Sequence, residues 1–253
     1  MNKFISTIKS FFPLVLTICA FIVILVQLPM FIIQSLITLI YCFSIVIFLI
    51  KFFHRKENVY IFPKLIVIFS VFTCCVSLSS IRTFLIIKKF DDQLFLIRNI
   101  GLFLCKENYV CGFFTTILLI GVILYFSKIH ILLNSEKAAR TSLSDMSSKI
   151  WEINNKEING EITKTEADSQ KALINIEINY YSSYVGASKY LINTLWAFIG
   201  LFIVVTAGGF AVGILELNLS WHEALNQYIV LSAGYLVVFA IPMFIVSVSF
   251  GIK

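Results

Sequence analysis

The feature that most constrains this chain is a series of apolar runs, several free of charge over roughly 18 residues or more. They lie at about Phe12–Leu28, Phe31–Phe53, Ile61–Ile87, Val110–Phe126, Leu195–Leu217 and Gln227–Phe250. A soluble core of this size cannot bury so many, whereas each matches the thickness of a bilayer as a helix. Composition agrees: 59% of residues are hydrophobic and 13% charged, against roughly 45–50% and 25% in soluble domains. A membrane barrel would show short alternating segments instead, and these are absent. The fold class expected is therefore all-α: a polytopic helical membrane protein with about six transmembrane helices.

Punctuation between the runs supports these bounds. Pro29 breaks the helix between the first two, having no amide hydrogen and clashing with the preceding turn. Pro63 suits a first helical turn. Lys88–Tyr109 holds Asp91, Asp92, Arg98, Lys106 and Glu107 around a short apolar stretch, Leu94–Leu104. That stretch is too short to span and is expected to lie at the interface or pack against the bundle.

Three regions follow: a membrane region over 1–127 with spans one to four, a helical loop over 128–190, and a membrane region over 191–253 with spans five and six. The loop reads as two helices, Ser135–Ile153 and Thr163–Tyr181, separated by Asn154, Asn155, Asn159 and Gly160. Thr163 and Glu166 have capping-box spacing. Glu152 to Lys156 and Glu157 to Glu161 are expected as surface contacts. Lys3, Lys9, Lys51, Arg55, Lys56 and Lys64 alternate with the long loop onto one side. Positive-inside then places both termini and the 128–190 loop in the cytoplasm, with Lys88, Lys89, Arg98 and Lys106 as an exception.

Sites of chemistry are scarce. His54, His130 and His222 lie in three separate segments without ligand spacing, and no glycine-rich phosphate loop occurs. No catalytic residue, metal or cofactor is expected. The net charge of +6 reads as span-flanking Lys and Arg, not as a nucleic-acid surface. Cys19, Cys42, Cys74 and Cys75 read as small hydrophobes within spans; Cys105 and Cys111 flank the Lys88–Tyr109 loop, where a disulfide is chemically feasible. Gly208, Gly209 and Gly213 form a small-residue stripe suited to close helix packing, with a substrate path as the other reading. Arg82 either snorkels to the interface or pairs subunits. Arg140 and Lys189 are either solvated charges or contacts to a neighbouring protomer.

Laid out in order, Phe62-Pro63 leads into Ser79-Ser80-Ile81-Arg82, then Asn108-Tyr109-Val110 and Gly112-Phe113. Ala138-Ala139-Arg140, Met146, Lys149, Gly160, Ile162, Glu166-Ala167, Tyr181 and Gly186-Ala187-Ser188-Lys189 follow. Gly208-Gly209, Gly213, Ser220, Glu223-Ala224, Tyr228, Gly234, Ile241-Pro242, Ser247 and Gly251 complete the set. Together they resemble the large export-gate subunit of type III secretion, the FHIPEP family (FlhA in flagella, SctV in injectisomes). The resemblance implies a bacterial inner-membrane, multi-pass scaffold and no enzyme. It also implies a homo-oligomeric ring alongside other export-gate membrane subunits. Tyr109 and Ser188 look more like the flagellar pattern, though flagellar and injectisome origins both stay open.

Departures from the family pattern concentrate at its charges. Where the family carries ionisable or amide side chains, some implicated in coupling export to proton flow, this chain has Gln34, Thr73, Ser77, Leu133, Ser144, Thr194 and Tyr235. Arg82, Arg140 and Lys189 survive. The family pattern also continues past Lys253 with two further spans and a large cytoplasmic domain, so a split gene, a truncated gene and a longer sequence are all compatible with it. The readings set beside the export gate are a stand-alone transporter or channel and a degenerate remnant without activity.

Overall fold

The computed structural model describes residues 28–53, 61–86, 95–106 and 108–251, with no side-chain placement for Tyr109. The first expected span, the N-terminal Lys3 and Lys9, Cys19, and the charges His54, Arg55, Lys56, Lys88, Lys89, Asp91, Asp92 and Glu107 lie outside those residues. Among the described residues every regular element is helical.

Helix α1 (Met30–Phe53) starts at Pro29, whose carbonyl accepts from the amides of Ile32 and Ile33. Its buried residues Ile33, Ile37, Ile40, Ser44 and Ile47 recur every three or four positions, forming one stripe. The other faces are just as apolar yet exposed, Phe31 at 78% and Phe53 at 73%. Apolar side chains on every face, only one of them buried among the described residues, suit a helix that crosses a membrane.

Helix α2 (Phe62–Ile86) packs on α1 and α6. The short α3 (Phe95–Cys105) lies along α7, Ile97 opposite Gly234 and Gly101 opposite Val230, so the two run antiparallel. Of the two expected placements for the Leu94–Leu104 stretch, packing against the bundle is the one found. Cys105 is buried, Cys111 exposed, and they are not joined. Asn108 caps α4 (Tyr109–Arg140), its side chain accepting from the amides of Val110 and Cys111.

The 128–190 segment differs most from expectation. Helix α4 does not stop near Phe126 but runs on to Arg140, through a π-turn at Thr141–Asp145, into α5 (Met146–Ile158). After a turn at which Gly160 takes φ +76°, α6 runs unbroken from Lys164 to Leu215. Its 52 residues make it about 78 Å long, more than twice the ~30 Å hydrocarbon core. The segment is thus the continuation of two spans as a helical hairpin. Asn154 and Asn155 do not break it, because only Asn159 and Gly160 sit where the chain turns. Thr163 and Glu166 do form the capping box. Lys156 pairs with Glu152 at 2.7 Å, whereas Glu157 reaches not Glu161 but Lys171 of α6, at 2.7 Å, tying the hairpin together.

Helix α7 (Trp221–Ser249) is the hub, touching α1, α3, α4 and α6 and buried without interruption from Tyr228 to Ala240. It opens with a second capping box, Ser220 with Glu223. A helix buried all round needs no amphipathic face, and its sequence has none. At its far end Phe250 packs on Tyr184 and Phe62, ring centres 4.9 and 5.7 Å away, gathering the ends of α2 and α7 against α6.

Candidate functional site

Helix α2 carries the densest buried polarity in the described bundle: Ser70, Thr73, Ser77, Ser79, Ser80 and Thr83 are all buried. Hydroxyls at membrane depth must find acceptors, and the nearest are carbonyls one turn back on the same helix. Thr73 donates to Phe69 O and Ser80 to Val76 O at 2.7 Å, and Ser77 to Cys74 O at 2.7 Å. Thr194 on α6 likewise donates to Tyr190 O at 2.9 Å.

These residues converge. Thr194 faces the Cys74 thiol, and Ser77 and Cys74 face the Tyr235 hydroxyl of α7. Tyr235 is 2% exposed, and its ring packs on Phe239, centres 5.0 Å apart. Its hydroxyl, like that of Ser70, makes no hydrogen bond of ordinary geometry among the described residues.

Thr73, Ser77, Thr194 and Tyr235 are four of the seven positions where the resemblance expects charged or amide side chains. Separate in sequence, they are all buried, and three of them surround Cys74 where α2, α6 and α7 meet. Of the other three, Gln34 is half-buried on α1 while Leu133 and Ser144 are exposed. The convergence is a neutral seam of hydroxyls and a thiol. It can pack and exchange hydrogen bonds, but these groups do not gain and lose protons near neutral pH. Among the described residues no His, Cys, Asp and Glu gather as a metal site.

The remaining candidate residues are spread out. Arg82 is exposed near the end of α2, about 30 Å along the helix from Phe62. Arg140 and Lys189 are exposed on α4 and α6. Gly209 and Gly213 lie against the Tyr228 ring, where an added Cβ on Gly213 would come within 2.6 Å. Gly208 faces Leu85 at an ordinary 3.7 Å.

Two arrangements escaped the sequence reading. The Gly101–Gly234 crossing brings backbone against backbone: a Cβ on Gly234 would fall 2.8 Å from Gly101 N and closer still to Ile97 O. Tyr41 also donates to Val238 O at 3.0 Å. For the second, a signal was present: Pro242 inside an apolar run announces an unpaired carbonyl four residues earlier.

The FHIPEP family model matches residues 20–253. Similar curated proteins include Flagellar biosynthesis protein FlhA of Borreliella burgdorferi, 30% identical over 236 residues that cover 90% of this chain and 33% of that protein. Protein MxiA of Shigella flexneri is 27% identical over 254 residues, 98% of this chain and 36% of that protein. Invasion protein InvA of Salmonella typhimurium is 26% identical over 243 residues, 94% of this chain and 34% of that protein. The chain spans about a third of the length of these relatives. No solved structure matches it.

Proposed function

This chain belongs to the FHIPEP family, and on that premise we propose that it is an inner-membrane export-gate scaffold component of a type III protein secretion apparatus. The observation that carries the reading is the family match over residues 20–253, with similar proteins named for flagellar biosynthesis and for invasion. The bundle is compatible with a scaffold: a buried hub helix, a neutral polar seam and a long hairpin standing off the spans. The role is structural and not enzymatic. A homo-oligomeric ring beside other export-gate membrane subunits is part of the proposal, with exposed Arg82, Arg140 and Lys189 as the charges expected at contacts between subunits. So is an orientation with both termini and the hairpin in the cytoplasm, which follows from the Lys and Arg bias.

A tagged copy, cross-linked in cells and purified in mild detergent, should carry other type III export-gate membrane subunits and run as an oligomer. A strictly monomeric protein with none of them would overturn the reading. For orientation, a cysteine introduced at Asn155 in a background without native cysteines should resist an impermeant reagent in intact cells. Reaction from outside would reverse the topology.

A further inference from the structure

One recess in the structure has a lining that neither the scaffold role nor the polar seam uses. It lies between α1, α4, α6 and the end of α7, with a volume of about 310 Å³. Lys51, Lys137, Asn134, Thr141 and three tyrosines, Tyr180, Tyr181 and Tyr184, are its polar lining residues, with Phe250 beside them. No carboxylate is among the described lining residues, and neither lysine takes part in an ion pair among the described residues. Lys51 lies over an aromatic ring at the edge of the recess. Its ammonium lies 5.5 Å from the centre of the Phe62 ring, and the residue is half-buried.

The level of the recess in the bundle narrows the ligand. Lys51 is in the last turn of α1, Phe62 opens α2 and Phe250 follows α7, so three spans end at this recess. That is the depth at which a bilayer passes from hydrocarbon to headgroup and at which tyrosines and lysines anchor helices. Beside Lys51, Phe52 and Phe53 are exposed, apolar surface of the kind acyl chains cover. Basic recesses between spans on the cytoplasmic side take anionic headgroups.

We infer that this recess binds the phosphate of an anionic phospholipid, with Lys51 and Lys137 supplying the charge and Tyr181 and Thr141 supplying hydroxyl donors. A free phosphate offers the same chemistry, but the ends of three spans at the recess and the exposed Phe52 and Phe53 beside it favour a lipid phosphate. The inference rests on the membrane reading of the spans and not on the export-gate proposal, so the two can fail separately.

Native mass spectrometry of the full chain in mild detergent tests it, with phosphatidylglycerol, phosphatidylcholine or inorganic phosphate added in separate arms. Phosphatidylglycerol adducts should form at lower concentration and survive higher collision energy than phosphatidylcholine adducts. K51Q and K137Q should each weaken phosphatidylglycerol binding roughly fivefold, and together about twenty-five-fold, from ~1 kcal/mol for each lysine near the surface. K51R/K137R, which keeps the charge, should retain the binding, and this guards against a double variant that merely misfolds. Lys128→Gln, outside the recess, should leave it unchanged. Equal retention of the two lipids, indifference to K51Q/K137Q, or saturable binding of inorganic phosphate that excludes the lipid would each overturn the inference.

Discussion

The hydroxyl of Tyr41 on α1 donates to the carbonyl of Val238 on α7 at 3.0 Å. Val238 is four residues before Pro242, which sits inside α7. A proline has no amide hydrogen to offer the carbonyl one turn back, so that oxygen is orphaned in any helix that contains one. At bilayer depth no water is present to take its place. A side chain from a neighbouring span fills the vacancy, and the hub helix is thereby keyed to α1.

Removing that hydroxyl with Tyr41→Phe should therefore cost about 1–3 kcal/mol, the range for leaving a buried group unsatisfied. Pro242→Ala restores the helical amide and gives the Val238 carbonyl a partner of its own. In that background Tyr41→Phe should cost clearly less. Unfolding of all four proteins in mixed micelles closes the cycle. An equal cost of Tyr41→Phe with and without the proline would sever the link between the two residues.

At the α3–α7 crossing, Gly234 lies against backbone, which no rotamer change can move aside. Gly234→Ala should push the two helices apart and cost about 1–3 kcal/mol, the usual penalty for overpacking. Gly200 on α6 has nothing within 4 Å of an added Cβ. Gly200→Ala should be neutral or stabilising by ~0.5–1 kcal/mol through helix propensity alone. Alkylation of Cys105, buried on α3 beside the crossing, reports the opening. It should accelerate in the first variant and not in the second.

Gly209 meets a ring and not a backbone, that of Tyr228 in the same chain. Gly209→Leu should destabilise the isolated protomer, and Tyr228→Ala should relieve part of the damage by vacating the space. Unfolding midpoints of the single and double variants in detergent measure the relief. If Gly209→Leu instead leaves protomer stability untouched and only lowers oligomer yield, the glycine serves a contact between subunits.

Much of this architecture was legible because hydrophobic length alone defines a span: α1 and α2 fall within a residue or two of the expected Phe31–Phe53 and Ile61–Ile87. The two helices of the hairpin and the turn between them were legible too, but not their continuity with the spans, since polarity ends a span without ending a helix. Glu136, Lys137 and Arg140 are good helix formers beyond the apolar run, and α4 continues through them instead of a separate helix starting near Ser135. The polar seam was half legible. Its members stand out as departures from a family pattern, but that Thr194 and Tyr235 reach the same thiol is a matter of helix packing across 41 residues of sequence. Gly101 carried no signal beyond being a glycine in a short apolar stretch.

The cap of α6 sits at the hairpin tip, well outside the span that begins near Leu195. Hydrogen bonds from the Thr163 amide and hydroxyl, each 2.9 Å long, hold the Glu166 carboxyl below the usual carboxylate range. Because the folded form favours the ionised group, its contribution is present above the ordinary carboxylate pKa and is lost as pH falls through the lowered value. The stability difference between wild type and Glu166→Gln should accordingly shrink on acidification and be flat above about pH 5. Amide exchange over the first turns of α6, followed across that range, should show wild-type protection converging on that of the variant. A difference that grows at low pH would contradict the cap's role.

The seam at Cys74 decides what this chain can do with charge. Thr194 and Tyr235 approach the same thiol from different helices, so a carboxylate at either position would be buried with no cation facing it among the described residues. A lone charge at the bilayer centre costs about 2.5–3.5 kcal/mol. Thr194→Asp and Tyr235→Asp should each destabilise the bundle by about that much at neutral pH, and less in acid, where the protonated group is neutral. Combined, they should cost more than the two singles together, because two carboxylates sharing one site repel. Tyr235→Phe is the control: its hydroxyl makes no hydrogen bond of ordinary geometry among the described residues, although Ser77 faces it, so its removal should be nearly neutral. The same variants test the proposed scaffold role. With the neutral seam, export in a host lacking its own gate subunit and supplied with the rest of the family's length should not depend on ionisation at this position. If the native chain supports export and Tyr235→Phe abolishes it, the Tyr235 hydroxyl is part of the working machinery and the seam is more than packing.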